Sequence, residues 1–273
     1  MIVRKTVEQA QVGDVRMING TVAFGKVKLN VYSFVVDGVL IDTGSRSLLQ
    51  PFKPFFQEAD VDQVVISHHH EDHTGGAGYL QDTYGYPIYM DSKMIEYCRK
   101  RADYPLYRQL FWGRRSPFQA NAIGRTFDSR RASWDVIETP GHAVDHLSFL
   151  NKETGQLFTG DLYVQRKTKL VLRGEDIPGI IASLQRVLTY DFKQMFCCHA
   201  GYVENGREAL ERKLDYLLGL ADEVDRLSKE GLDEKEIHKA LFNKTYPIVK
   251  LSLGEWDSQH IVSSLLKDKR QIQ

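Results

Sequence analysis

This sequence of 273 residues has few cysteines and no net charge. It contains three cysteines, and its 36 basic residues balance 36 acidic ones. The odd cysteine count, with Cys197 and Cys198 adjacent, argues against a disulfide framework and fits a reducing compartment. Because the formal net charge is +0, no global field would draw the chain to nucleic acid or to an anionic membrane. Electrostatic recognition of any partner must therefore be local.

Long apolar runs are missing as well. The start of the chain has no stretch of signal-peptide length, and nowhere do about 18 uncharged apolar residues follow one another, as a membrane span requires. The hydrophobic content of 42% nevertheless suffices for a large core. We therefore expect a globular cytoplasmic protein without a membrane partner.

Short apolar and β-branched runs separated by turn residues dominate the chain up to residue 205 and predict β-strands. These predicted strands are residues 21–27, 31–36, 39–41, 64–66, 87–90, 136–137, 147–150, 156–158 and 194–198. Helical spacing at residues 47–58 and 179–188 alternates with them. Strands that alternate with helices predict an α/β protein built in layers.

The pattern changes at Gly206, where leucines at helical spacing stand among charged residues. We expect a first unit at residues 1–205 and a C-terminal helical extension at residues 206–273 that packs on it. The apolar faces of these helices could cover the first unit or form a homodimer interface, and their periodicity does not distinguish the two.

The most informative stretch is the pattern H-x-H-x-D-H at residues 68–73, which follows the predicted strand 64–66. His68 and His70 are two residues apart, so an extended strand end points both imidazoles to one side. Asp72 and His73 follow where the chain turns into a helix and can reach a second point. Imidazole and carboxylate ligands without thiolate suit an open, catalytic site for zinc, iron or manganese.

Three further turns each bear one side chain of a metal-ligand type. Residues 139–142 end in His142, residues 158–161 end in Asp161, and residues 196–201 contain His199. Each turn follows an apolar strand, which is how separate loops converge at one edge of a sheet sandwich. The sequence therefore predicts one metal centre assembled from distant turns.

With these motifs the chain resembles the metallo-β-lactamase superfamily over roughly residues 20–205, and the segments 30–32 and 40–44 resemble that family's early strands and Asp-x-Gly turn. The resemblance implies an α/β (α+β) fold, a four-layer αββα sandwich with a dinuclear site at one edge. It implies a first metal on His68, His70 and His142. It implies a second on Asp72, His73 and His199, with Asp161 bridging both.

The aspartate that the resemblance implies as a bridge also limits which branch of the superfamily the chain resembles. True β-lactamases of this fold lack it, so Asp161 indicates the glyoxalase II-like, lactonase and nuclease side. Glyoxalase II usually follows this aspartate with a Gly-Cys-Gly-Arg-like loop, whereas residues 162–167 here read Leu-Tyr-Val-Gln-Arg-Lys. Quorum-signal lactonases place a tyrosine three residues beyond the aspartate, where this chain has Val164. Tyr163, one residue earlier, is a candidate substrate contact.

The expected activity is hydrolysis of a small, anionic or neutral ester, thioester or lactone. Two divalent ions, zinc by default and iron or manganese as alternatives, would lower the pKa of a shared water toward about 7 and present hydroxide. Asp72 is the candidate catalytic residue, because it could accept the proton of that water. His146 is a candidate for fixing a ligand through a hydrogen bond, since metal-bound imidazoles need their other nitrogen held.

Residues 93–131 form a basic segment rich in aromatic residues, with ten basic residues against three acidic ones. The segment lies between the first motif and the strand that leads to His142, so it could form a lid over the metal edge. Arg114 and Arg115 are candidate contacts to an anionic substrate, because arginine suits carboxylate and phosphate. A solvated helical hairpin is the alternative.

Two other activities on the same fold stay open at this point. The same metal pair could serve a phosphodiesterase or nuclease, with the basic segment along a nucleic-acid backbone, although the neutral overall charge argues against a nucleic-acid partner. An iron-dependent oxidoreductase is the other. Elemental analysis and side-by-side substrate assays would distinguish the three.

Overall fold

The computed structural model describes residues 3–270, and these form two β-sheets that pack face to face. The first sheet has seven strands, paired in chain order. They are Arg4–Val12 (β1), Val15–Phe24 (β2), Val27–Val36 (β3), Val39–Ile41 (β4), Gln63–Val65 (β5), Ile88–Met90 (β6) and Asn121–Ala122 (β7). Strands β1 to β4 pair antiparallel, whereas β4 to β7 pair parallel and therefore end at one edge of the sheet.

The second sheet has six strands in the order β14-β13-β11-β10-β9-β8. They are Thr126–Asp128 (β8), Ser133–Glu138 (β9), Leu147–Asn151 (β10), Gln156–Phe158 (β11), Gln194–Cys197 (β13) and Gly201–Val203 (β14). A separate pair joins Val171–Leu172 (β12) to Trp256–Asp257 (β15), so it links the middle of the chain to its C-terminal part.

Ten α-helices cover the outer faces of the two sheets over the described residues. They are Leu49–Glu58 (α1), Glu71–Thr74 (α2), Ala77–Tyr84 (α3), Ile95–Cys98 (α4), Leu106–Trp112 (α5), Ile177–Leu188 (α6), Gly206–Lys229 (α7), Glu234–Leu241 (α8), Pro247–Leu251 (α9) and Gln259–Arg270 (α10). Among residues 3–270, no helix combines the length and the apolarity that crossing a bilayer requires.

Three apolar clusters hold these layers together. The middle cluster lies between the sheets, where Phe34 of β3 packs against Phe158 and Phe196 of the second sheet with ring centroids 5.4 and 5.8 Å apart. One outer cluster buries α1, α3 and α5 against the first sheet, and the other buries α6, α7, α8 and α10 against the second. The predicted αββα order of layers is confirmed.

The hairpin between β2 and β3 corrects one predicted strand. Residues 21–27 were expected to form a single strand, but Phe24 and Val27 pair with each other across a tight turn. Gly25 adopts φ +59 there, a left-handed conformation that glycine reaches without a side-chain clash. Apolar residues stand on both sides of the exposed turn Gly25-Lys26, because both arms of the hairpin contribute buried residues.

Helices α7, α8 and α10 lie on the second sheet, whereas Ile248 of α9 packs in the outer cluster of the first sheet. Leu210, Leu217 and Val224 of α7 are buried in the same cluster as Leu184 of α6 and Met195 of β13. These helices therefore cover the sandwich. The division of the chain at residue 205 and a homodimer interface stay predictions, and residues 1–2 and 271–273 of the two predicted units lie outside the described part of the chain.

Candidate metal centre

The predicted ligands follow the ends of four strands, and strand direction explains why they meet. Strands β9, β11 and β13 run the same way, because β10 is antiparallel to both β9 and β11 while β13 is parallel to β11. The turns after them carry His142, Asp161 and His199, so these side chains emerge at one edge of the second sheet. The motif at residues 68–73 follows β5 at the facing edge of the first sheet.

Two groups of ligand atoms converge at this edge. His70 Nδ1 lies 3.0 Å from His68 Nε2 and 3.0 Å from His142 Nε2. Asp72 Oδ2 lies 3.7 Å from both His73 Nε2 and His199 Nε2. These are the two ligand sets that the family resemblance implies, and each set brings its donor atoms within 4.8 Å of one another.

Asp161 lies between the two groups. Its Oδ2 is 3.3 Å from His142 Nε2 and 2.9 Å from His199 Nε2, and its Oδ1 is 3.4 Å from His73 Nε2. One carboxylate therefore touches imidazoles of both predicted metal positions. This is the geometry that a bridging ligand needs.

Four of the five imidazoles have their Nδ1 atoms held by an acceptor, which directs Nε2 toward the other candidate ligand atoms. The acceptors are the hydroxyl of Ser67 for His68, the carboxylate of Asp42 for His73, the carboxylate of Glu175 for His142, and the backbone carbonyl of Asn30 for His199. Such hydrogen bonds fix the tautomer and the ring orientation of metal-binding histidines.

Asp42 is the centre of this supporting network. Its carboxylate accepts from the backbone and the hydroxyl of Ser67 at 2.8 and 2.7 Å, from His73 Nδ1 at 2.8 Å, and from Cys198 Sγ at 3.0 Å. The side chain is fully buried, and its backbone has φ +57, which aspartate tolerates better than most residues. Cys198 thus donates to Asp42, and all three cysteines are free.

The donor set fits divalent cations. Nitrogen lone pairs that face one another at 3.0 Å repel, unless a positive charge lies among them. Within the described residues, His73 Nε2 and Asp161 Oδ1 are buried polar atoms without a hydrogen-bond partner, an arrangement that is costly in a folded protein. Imidazole and carboxylate together suit zinc, iron and manganese, and two ions would satisfy both orphaned atoms.

The electrostatics of the site favour the same conclusion. Burial lowers the pKa of His68 and of His70 well below the usual value, so both imidazoles are neutral and able to bind a cation. Burial would lower the pKa of His73 too, but the carboxylates of Asp161 and Asp72 outweigh it and hold that pKa well above the usual value. Cation binding would replace the proton that these carboxylates attract.

His146 supports Asp161 and lies outside both groups of candidate ligand atoms. Its Nε2 accepts from the backbone N–H of Asp161 at 2.9 Å, and its Nδ1 lies 2.8 Å from Thr139 Oγ1. Because Nε2 must accept, the ring is neutral, and burial accordingly lowers its pKa to about 4. Gly160 permits this contact, since a Cβ there would come within 2.6 Å of His146 Nε2.

The three candidate substrate contacts lie in different surroundings. Tyr163 lines a cleft of about 300 Å³ together with Arg166 and Arg212, next to Asp161 in the chain. Arg114 is exposed and bonds the carbonyl of Ala102. Arg115 is only 1% exposed, and its guanidinium donates to backbone carbonyls of residues 97, 98 and 116, so it stabilises its own segment and is not placed to meet a substrate.

Sequence reasoning missed most of the residues that hold predicted ligands or their loops, Glu175, Asp145 and Arg108 among them. Glu175 orients His142 from 33 residues away, and Asp145 bonds both the backbone and the ring of His69. Arg108 forms a two-bond ion pair with Glu71 inside the motif. No local spacing marks such distant partners, and residues 42–44 entered the sequence analysis only as a turn that resembles one of the family's.

Comparison with known proteins gives a consistent result. The sequence profile of the metallo-beta-lactamase superfamily matches residues 28–224. The thioesterase pkgB of Emericella nidulans is 31% identical over 208 residues, which cover 74% of this chain and 50% of that protein. The hydroxyacylglutathione hydrolase of Psychromonas ingrahamii is 27% identical over 178 residues, which cover 64% of this chain and 62% of that protein. The chain thus spans less than two thirds of the length of both relatives.

A solved structure extends the likeness to almost the whole chain. The beta-lactamase domain protein from Burkholderia ambifaria matches with a TM-score of 0.69 and 18% identity, and the match covers 95% of this chain and 88% of that one. At this identity the likeness concerns the fold alone. It includes the helices after residue 205, which the sequence profile covers only as far as residue 224.

Proposed function

This chain belongs to the metallo-β-lactamase superfamily, and on that premise we propose that it is a metal-dependent hydrolase that cleaves a small thioester. The observation that carries the proposal is the position of Asp161, whose two carboxylate oxygens contact histidines of both ligand groups. Two similar proteins are named a thioesterase and a hydroxyacylglutathione hydrolase, and both names describe thioester cleavage.

We propose that His68, His70 and His142 hold one cation, that Asp72, His73 and His199 hold the other, and that Asp161 bridges them, with zinc as the default metal. When bound, such a pair lowers the pKa of a water toward about 7 and polarises the substrate carbonyl. In thioester hydrolysis, water adds to the carbonyl carbon, the C–S bond breaks, and a carboxylate and a thiol result. The chain must orient the substrate and receive a proton.

Asp72 is the proposed proton acceptor. Its side chain is 11% exposed, so a water can reach it, and Oδ2 faces His73 and His199 at 3.7 Å. The buried carboxylate of Asp161 is held by its backbone bond to His146 and is committed to the imidazoles around it. The proposed roles of the two aspartates therefore differ. Asp161 would bridge the two cations, and Asp72 would bind one cation and accept the proton of the water.

The loop that follows Asp161 is the proposed wall for the leaving group. The carbonyl of Tyr163 accepts from the buried ammonium of Lys213 at 2.6 Å, and Val164 donates to Cys197 Sγ at 3.3 Å. These bonds fix the loop on α7 and on β13, and Tyr163, which lines the cleft, follows Asp161 by two residues in the chain. A polar thiol fits there, because Arg166 and Glu204 both line the cleft.

Side-by-side assays test the proposed substrate class. Metal-loaded protein should hydrolyse an S-acyl pantetheine faster than p-nitrophenyl acetate, an acyl homoserine lactone or bis-p-nitrophenyl phosphate, compared by kcat/KM. The Asp161→Ala variant, assayed in parallel, measures hydrolysis that does not come from the site. A preference for the phosphodiester would instead support a phosphodiesterase, and oxidation of a thiol with iron bound would support an oxidoreductase.

Metal uptake is a separate prediction from the substrate. Chelator-treated protein should take up two equivalents of Zn²⁺ per chain, counted by elemental analysis, because two ligand groups converge around one carboxylate. Each ion that binds only the native state would stabilise it by about 2.7 kcal/mol at a free metal concentration 100 times its Kd. Thermal unfolding with and without metal measures this. Uptake below one equivalent with an unchanged Tm would contradict the proposed centre.

A further inference from the structure

One guanidinium joins three distant segments beside the metal-ligand motif. Arg108 of α5 donates from Nε and Nη2 to the two carboxylate oxygens of Glu71 at 2.6 and 2.7 Å, and from Nη1 to Glu255 Oε1 at 3.2 Å. Glu71 stands between the proposed ligands His70 and Asp72. The basic segment 93–131 is thereby fastened to the ligand loop on one side and to the C-terminal part of the chain on the other.

The contact between Arg108 and Glu71 is buried, unlike the exposed ion pair between Arg99 and Glu96 in the same segment. The side chains of Glu71 and Arg108 are 3% and 17% exposed, whereas those of Glu96 and Arg99 are 72% and 45% exposed. A two-bond fork between a guanidinium and a carboxylate fixes both distance and orientation, which a single ammonium cannot do. Exposed pairs such as Arg99–Glu96 contribute little by comparison.

Beyond Glu255, the contacts continue to the other ligand group. The carbonyl of Glu255 accepts from the backbone of Arg173, and β15 pairs with β12 at the same point. Glu175 follows β12, bonds back to the N–H of Leu172 at 2.7 Å, and holds His142 Nδ1 at 3.0 Å. A series of contacts therefore runs from Glu71 through Arg108 and Glu255, across the β12–β15 pair, to Glu175 and His142. It connects the segments that carry the two ends of the first ligand group.

We propose that Arg108 is a positioning residue that holds the 68–73 ligand loop and the His142 loop at a fixed separation through the β12–β15 pair. In this arrangement segment 93–131 is a strap across the metal edge, and its buried arginine acts on the ligands through Glu71 and Glu255. The inference rests on the metal centre proposed above but is independent of the substrate.

Cobalt-substituted protein tests this without relying on activity. The Arg108→Met variant should bind Co²⁺ about tenfold more weakly, with altered visible absorption bands, because loss of a partner that orients ligands commonly weakens metal binding about 10- to 100-fold. Arg108→Lys should recover only part of the affinity, since an ammonium cannot form the fork. Arg99→Met, which removes an exposed arginine of the same segment, is the matched control and should match wild type.

A second variant keeps the test decisive if Arg108→Met does not fold. Glu255→Gln leaves the Arg108–Glu71 fork intact and weakens only the link toward Glu175, so it should change the Co²⁺ bands less than Arg108→Met but more than Arg99→Met. The proposal would be overturned if Arg108→Lys and Glu255→Gln both showed the Co²⁺ absorption bands and the Co²⁺ affinity of the Arg99→Met control. Failure of wild-type protein to bind Co²⁺ at all would instead refute the metal centre, and absence of thioesterase activity alone would leave the positioning role standing.

Discussion

Replacing Asp161 by Ala is expected to reduce bound metal from two equivalents to one or fewer and to lower kcat/KM by about 10³-fold, because a lost cation no longer offsets the negative charge of the transition state. The reason is geometric. Asp161 Oδ2 lies 2.9 Å from His199 Nε2 and 3.3 Å from His142 Nε2, and its Oδ1 lies 3.4 Å from His73 Nε2. Without this carboxylate, no negative charge stands between the two proposed cations.

Two companion variants sharpen that experiment. Asp161→Asn keeps the shape and the backbone bond to His146 but removes the charge, so it should also lose metal, which elemental analysis measures. Asp37→Asn is the matched control, because the buried side chain of Asp37 bonds Ser129 and Arg131, which belong neither to the proposed ligand set nor to its loops. Two equivalents bound at wild-type affinity in Asp161→Ala would show that the carboxylate is no bridge.

The Asp42→Ala variant should be severely destabilised and should bind metal about 10- to 100-fold more weakly, as expected when an outer partner of a ligand is lost. Asp42 accepts four hydrogen bonds, from Ser67 N, Ser67 Oγ, His73 Nδ1 and Cys198 Sγ. A buried donor left without a partner costs about 1–3 kcal/mol, and several are left at once. Alanine would also be strained at φ +57.

Urea unfolding of the metal-free protein separates the effect of Asp42 on stability from its effect on metal affinity. Asp42→Ala should lower the free energy of unfolding by about 3 kcal/mol or more, the cost typical of an orphaned buried network. Asp42→Asn tolerates the left-handed backbone and keeps some of the bonds, so its loss of stability should be smaller while its metal affinity still falls. Unchanged affinity in both variants would mean that His73 needs no such support.

How far the sequence predicts the fold depends on how each strand is buried. Strand β11 and strand β13 are buried and apolar, so they were recognised. Strand β1 was missed, because its residues Arg4–Val12 are almost all exposed and polar and show no alternation. It forms because β2 offers a free edge, with register Arg4 to Ala23 through Val12 to Val15. Pairing of this kind depends on backbone groups, which all residues share.

The cluster of candidate ligands could be predicted because metal chemistry restricts the residue types and the chain spacing restricts their directions. His68, His70, Asp72 and His73 lie within six consecutive residues, and their sites on a strand end and a helix start follow from that spacing. His142, Asp161 and His199 each follow an apolar run and a small-residue turn. The substrate contacts had no comparable restriction, and Arg115 proved to be an interior residue.

The sequence by itself determined which side chains can bind cations and that they follow strands, since both properties are local. Only the tertiary structure decided what holds those side chains. Asp42 and His73 are 31 residues apart, Glu175 and His142 are 33 apart, and Arg108 and Glu71 are 37 apart. A hydrogen bond between such distant residues requires only that folding bring two polar atoms to within about 3 Å, and this leaves no periodicity in the chain.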